Sequence, residues 1–227
     1  VFTYTIGDLK QKKAEAELPT GEYLISQPRQ IEKATPKKIN LATLSELVKQ
    51  KNLLIYTGAG ISAEKGLSMQ DLLNSLGIEN EKNFQQTILE NPDKILGAWK
   101  KFHQIAFDSE PTAAHQAVAK IALANKAQVL TENFDFLQER TGIRPYHMSG
   151  PRLRQEINPD CLKQIDAVLC VGLSWDDRGF LAWYKKNNPN GQIISVDQKQ
   201  PVYLGDEDMF IEDNLQDILP QVAKNIE

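Results

Sequence analysis

An amide, a carboxylate and an imidazole fall close together in the stretch LTENFDFLQERTGIRPYHMSG, as Asn133, Asp135 and His147. Gathered at one sheet edge, such a set can perform general-base chemistry near neutral pH, where imidazole exchanges its proton. Each also has a plainer use: Asn133 and Asp135 as N-cap residues of a helix, His147 as an ordinary loop histidine. A second stretch, NLLIYTGAGISAEKG, has the makings of an anion site. There the apolar run Leu53–Tyr56 feeds Gly58, Ala59 and Gly60, and residues of helical character follow from Ile61 and Ser62. A strand passing through glycines into a helix can present backbone N–H groups to a pyrophosphate. The third glycine, Gly66, comes later than G-x-G-x-x-G requires, so a strand-ending turn without a ligand is an equal reading. His103 sits in a helical stretch and reads as a surface or hydrogen-bonded histidine.

Positioning these groups requires a particular order of elements. Leu53–Tyr56, Ala127–Leu130, Asp166–Val171 and Gln192–Val196 are short runs suited to strands. Helical spacing recurs at Leu41, Leu44, Leu47 and Val48, in MQDLLNSLGIE, over residues 81–90 and 92–107, and after Pro111. It returns over Phe134–Thr141, Phe180–Lys186 and Leu215–Val222. Strands alternating with helices predict an α/β fold, a doubly wound parallel sheet of Rossmann-like type. The glycine turn and Thr131–Asp135 then share the carboxyl edge of the sheet, where such folds bind ligands. Residues 1–40 differ, with an alternating run at Phe2, Tyr4 and Ile6 and a charged arm over 10–18. Tyr23–Ile25 is another candidate strand, and Pro28–Ile39 a lysine-rich linker. The expected division is an N-terminal extension, 1–40, loosely packed on a core spanning 41–227.

Composition narrows the function. The chain has 227 residues, 41% of them apolar, enough for one large domain. A net charge of −4, from 26 basic and 30 acidic residues, gives no general attraction for nucleic acid. No apolar run approaches a membrane span, and the N-terminus lacks an apolar signal core. The two cysteines, Cys161 and Cys170, form no C-x-x-C pair, which excludes a four-thiolate zinc site. Two reduced thiols in a cytoplasmic protein are expected, with a bridge between them left open.

The chain resembles the sirtuins, the NAD-dependent protein deacylases. GAGIS at Gly58–Ser62 matches their first signature, and Gly66 falls at the glycine of their G-I-P-D-F-R. Pro111–His115 (PTAAH) is similar to P-N-x-x-H, Thr131–Asp135 (TENFD) to T-Q-N-I-D, and Tyr146–Gly150 to the L-H-G region. Gly172-Leu173-Ser174 parallels G-T-S, and Ile194–Asp197 stands where the family has a strand ending in Ile-Asn. The resemblance implies that Gly58, Ala59, Gly60, Ile61 and Ser62 hold the pyrophosphate of NAD. It also implies that Asn133 and Asp135 line the nicotinamide pocket, and that His147 is the base acting on a ribose hydroxyl. Gly172 and Ser174 would lie on the phosphate and adenosine side, with Asp197 on the adenosine ribose. A carboxylate accepts from two vicinal hydroxyls and repels a 2′-phosphate, so NAD is expected over NADP.

Departures from the family shape the rest of the reading. Leu67, Ser68, Met69, Gln70 and Asp71 stand where I-P-D-F-R would follow the glycine, so the family's shielding phenylalanine and its arginine are both lost. Glu132 replaces a glutamine and puts an extra negative charge beside the cofactor. The zinc ribbon is absent, leaving a reduced small module over 148–165 and a helical insertion over 67–110. Arg152–Glu156 is all that stands in for the family's peptide-binding strand. Three functions follow: a deacylase acting on acyl-lysine protein or peptide, an NAD glycohydrolase or ADP-ribosyltransferase, and a non-catalytic NAD or ADP-ribose binding module.

Overall fold

A computed structural model describes residues 28–78, 90–148 and 159–226. The strands expected near Phe2 and Tyr23, most of the expected 81–90 helix and Arg152–Glu156 lie outside them. Seven described strands form one all-parallel sheet in the order β1-β7-β6-β5-β2-β3-β4. They are β1 (Lys37–Lys38), β2 (Leu53–Thr57), β3 (Gln128–Thr131), β4 (Tyr146–His147), β5 (Ala167–Val171), β6 (Gln192–Asp197) and β7 (Met209–Glu212).

The central strands are short apolar runs because both of their faces are covered. Leu53 and Ile55 of β2, Leu169 and Val171 of β5, and Ile194 and Val196 of β6 share one core. That core is closed by α1 (Leu41–Gln50), α4 (Ala113–Asn125) and α7 (Leu215–Ile226). The alternate residues Leu54, Tyr56, Val168, Cys170 and Ile193 face the opposite layer, against Phe180, Leu181 and Tyr184 of α6 (Phe180–Asn187). A short helix, α5 (Pro159–Leu162), adds Leu162 to that side. Two further helices, α2 (Met69–Leu76) and α3 (Pro92–Asp108), pack on each other through Leu72, Leu73, Leu76 and Ile95. Leu67, Ala106 and Leu137 tie that pair to the turn after β3.

From β2 the chain runs outward through β3 to β4, then returns to β5 and runs the other way through β6 to β7. The switch point is therefore the β2–β5 boundary, where crevices form outside the carboxyl ends of the strands. Both cysteines are free thiols, Cys170 buried and Cys161 exposed.

Two elements differ from the sequence reading. The described end of the expected loose extension is stitched to the sheet: Lys37 N–H donates to Asp208 O and Ile39 N–H to Phe210 O, at 2.9 Å each. The Arg29 guanidinium, its side chain only 13% exposed, binds the buried Asp208 carboxylate at 2.9 Å. The helix expected over Phe134–Thr141 does not form. Asp135 Oδ1 accepts from Leu137 N–H at 3.0 Å, and Phe136 turns into the left-handed region at φ 58°. Only a 3₁₀ turn, Glu139–Thr141, remains. No helix among the described residues is long and apolar enough to cross a membrane.

Candidate functional site

At the switch point the turn after β2 and the turn after β5 press backbone against backbone. Gly60 N–H donates to Gly172 O at 2.9 Å, and Gly58 N–H to Val171 O at 3.0 Å. A Cβ on Gly172, which sits at φ 59°, would lie 2.4 Å from the Ile61 nitrogen, so only glycine allows this contact. A 3₁₀ turn, Ala59–Lys65, follows. Its Ile61 side chain enters the core and Ser62 is fully buried. The amides of Gly58, Gly60 and Ile61 are thus engaged within the fold, and what the turn offers outward is the surface of Ala59 and Gly60.

Two cavities of about 340 Å³ each flank that turn, and Gly60 lines both. The first collects Glu132, Asn133 and Asp135 from the end of β3 and Gly172 and Ser174 from the end of β5. Leu67–Gln70, with Trp99 and Phe102 of α3, close it from the other side. The second ends on Asp197 at the tip of β6, beside Gln198, Asn214 and Gln216. Gly58, Ile61 and Ser62 line neither, lying beneath the turn.

Under the first cavity runs a buried polar network. Ser62 Oγ donates to Asp135 Oδ2 at 2.6 Å, and Asn133 Nδ2 donates to Gly58 O at 3.2 Å. His115 lies below, fully buried, with Nε2 at 3.3 Å from Ser62 Oγ. Its Nδ1 accepts from Thr112 N–H at 3.2 Å, which leaves Nε2 as the nitrogen carrying the proton and donating to Ser62. Burial holds this imidazole below its ordinary range, with the Asp135 charge partly offsetting the effect. The sequence reading used His115 only as part of a motif. Its place in the buried network was hidden because the helix around it is read by its apolar alanine, valine and isoleucine positions. With no helix after Asp135, the N-cap reading of Asn133 and Asp135 falls away.

Glu132 projects into the cavity wall and accepts a hydrogen bond from the Tyr56 hydroxyl. Burial raises its carboxyl to about 7, with the Tyr56 bond opposing that rise and the Asp177 charge adding to it. His147 stands at the same sheet edge, paired in register with Thr131, but it does not line the cavity. Its Nδ1 is 3.0 Å from the Asn133 carbonyl oxygen, and its Nε2 meets the Glu139 carboxylate. Both ring nitrogens are engaged. Glu139 was absent from the expected site, and no signal in the sequence marks it as the imidazole's partner.

No family model matches the chain. Among curated proteins, an NAD-dependent protein deacylase of Helicobacter pylori strain J99 is 28% identical over 151 residues, covering 61% of this chain and 64% of that protein. The enzyme of the same name from strain 26695 is 30% identical over 130 residues, 54% of this chain and 56% of that protein. One from Mycolicibacterium paratuberculosis is 34% identical over 99 residues, 42% of each. The chain thus spans less than two thirds of the length of these relatives. Among solved structures, a Sir2 homologue–NAD complex superposes with a TM-score of 0.69 at 17% identity, over 85% of this chain and 96% of that one. A Sir2–p53 peptide–NAD⁺ complex gives 0.64 at 12% identity, over 82% and 98%. The chain is thus similar in sequence to NAD-dependent protein deacylases and shares the fold of the Sir2 homologues.

In this chain the T-E-N-F-D segment, the glycine turn and the strand ending at Asp197 converge on the two cavities. The imidazole of His147 stands behind them. Of the two thiols, Cys161 lies on the surface and Cys170 in the core.

Proposed function

We propose that this chain is a sirtuin, an NAD-dependent protein-lysine deacylase working in the cytoplasm. The single observation that carries the proposal is the convergence of Glu132, Asn133, Asp135 and Ser174 on one cavity, with a second cavity ending on Asp197 across Gly60, which lines both. NAD fits that arrangement. A carboxylate stands where a vicinal diol can be bound, glycine lies between the two cavities, and an amide–carboxylate pair can take a carboxamide. When bound, NAD supplies a cleavable bond between nicotinamide and ribose.

The chain's own groups then have separable tasks. Asp197 would accept from the adenosine ribose hydroxyls. Asp135, held by Ser62 and by Leu137 N–H, would present a fixed carboxylate to the carboxamide N–H. Asn133, fixed through its NH₂ group on Gly58, would orient the incoming acyl oxygen. His147 would take the proton of a ribose hydroxyl on Nε2, for which that nitrogen must be without a proton and turned from Glu139 to the hydroxyl while Nδ1–H stays on the Asn133 carbonyl. An acyl-lysine protein or peptide as second substrate is supported by the names of the curated relatives and the peptide complex that shares the fold. The free thiols suit a reducing, cytoplasmic setting.

A second reading, NAD glycohydrolysis or ADP-ribosyl transfer, is favoured by the position of His147 outside the cavity, because direct attack on the ribose carbon needs no base there. The deciding experiment incubates the protein with NAD, with and without an acetyl-lysine peptide, and follows nicotinamide. Release should require the peptide, and His147→Ala should lower it by about 10²–10⁴-fold while NAD affinity stays within about tenfold. Release without peptide would establish the second reading. NAD binding without release would reduce the protein to a binding module.

A further inference from the structure

The first cavity has two unlike walls. One carries carboxylates, Glu132, Asp135 and Asp177, with Arg178 beside them. The other is aromatic: Trp99 and Phe102 from α3 face it together with Phe134 from the turn after β3. The three rings form one cluster. Trp99 meets Phe102 at a centroid distance of 5.6 Å and Phe134 at 6.4 Å, both nearly edge-on. His103 stacks behind Trp99 at 5.8 Å, and the packing of α3 on Leu72 and Leu73 of α2 holds the cluster in place.

Aromatic faces and carboxylates lining one cavity attract a flat cation: the ring quadrupoles and the negative charges both favour positive charge, and the apolar faces exclude water from one side of it. A neutral or anionic ring gains only the packing. The segment after Gly66, where the sirtuin pattern would place a phenylalanine, lines the cavity here with Leu67, Ser68, Met69 and Gln70, none of them aromatic.

We propose that Trp99, supported by Phe102 and Phe134, is the face on which the positively charged pyridinium ring of NAD packs, so that α3 supplies the aromatic surface missing from residues 67–71. This rests on the reading that NAD occupies the cavity. It adds a residue that discriminates the charged ring from the rest of the dinucleotide.

Calorimetric titration of the whole protein with NAD, NADH and ADP-ribose tests it. ADP-ribose lacks the ring, and NADH carries it uncharged. Trp99→Leu should weaken NAD binding about tenfold while leaving ADP-ribose and NADH within about twofold. Trp99→Phe, which keeps a π face, should recover most of the NAD affinity and guards against a simple packing defect. A Trp99→Leu protein whose NAD and ADP-ribose affinities keep their wild-type ratio overturns the ring assignment and leaves the NAD reading standing. A wild-type protein that binds neither nucleotide overturns both.

Discussion

Gly172 and Phe136 share one backbone conformation, φ 59° and 58°, at two turns on the same edge of the sheet, and they meet its demand in opposite ways. The left-handed region costs an L-residue about 1–2 kcal/mol. At Gly172 the sequence removes that cost with glycine, and the missing side chain lets Gly60 and Ile61 close on the β5 turn. At Phe136 the cost is kept: an aromatic ring, 56% exposed, is held in the strained conformation at 5.6 Å from the His147 imidazole. His115 and His147 repeat the contrast. His115 is buried with one tautomer dictated by its neighbours, whereas His147 is partly exposed between two acceptors. The glycine-lined side of the site is over-determined. The His147 side carries strain at Phe136, which suits the base role proposed for that histidine.

The largest effect should therefore follow from disturbing the glycine-lined side. Gly172→Ala adds a Cβ 2.4 Å from a backbone nitrogen, where no flexible side chain can yield. Left-handed strain and overpacking together should cost about 2–5 kcal/mol, read as a lowered urea midpoint with an unchanged slope. A loss below 1 kcal/mol would mean that the two turns separate easily and that the comparison is mistaken.

Much of this contrast was legible in the sequence on one side only. Leu53–Thr57 and Ala167–Val171 could be read because a strand buried on both faces is an unbroken apolar run. Met209–Glu212 and Lys37–Lys38 were missed because four and two residues carry too little pattern to stand out beside a linker. The failure at Phe134–Thr141 is more instructive. Phe134 and Leu137 have helical spacing, but the Asp135 carboxylate captures the Leu137 N–H, and that competition between side chain and backbone leaves no mark on periodicity. Asn133, Asp135, Gly60, Gly172, Ser174 and Asp197, which the family resemblance rather than their spacing implies for the site, line the two cavities. The partners that fix the ionisable groups, Tyr56 for Glu132, Thr112 and Ser62 for His115, and Glu139 for His147, are set by tertiary contact.

Glu132 tests the over-determined side more gently. Its carboxyl rises from 4.5 to about 7, chiefly through burial, with Asp177 and Asp176 adding to the rise and Tyr56 and Arg178 opposing it. The native state then holds this proton more tightly than the unfolded chain, so the favourable contribution is complete below pH 4.5 and is lost as pH climbs through 7. Glu132→Gln cannot ionise. Its stability relative to wild type should be flat below pH 4.5, climb between 4.5 and 7 and level off above neutrality, a total change on the order of 3 kcal/mol, measured by urea unfolding at both ends of that range. A stability difference independent of pH would place the Glu132 carboxyl in water and remove it from the wall of the cavity.

The smallest effect should come from Phe136→Gly. Glycine releases the left-handed strain of about 1–2 kcal/mol but returns roughly 0.5–1 kcal/mol of freedom to the unfolded chain. It also gives up the ring's contact with His147, which is modest for a side chain so exposed. The balance should lie between no change and a gain of about 1 kcal/mol, despite the removal of a whole aromatic ring. Measured beside Gly172→Ala, this variant separates two accounts of the same φ angle. If Phe136→Gly is neutral or stabilising yet slows nicotinamide release, the strain serves the placement of His147. If it destabilises by more than about 2 kcal/mol, a cost typical of a lost buried contact, then Phe136 is packing, and the base side is as firmly built as the glycine-lined side opposite.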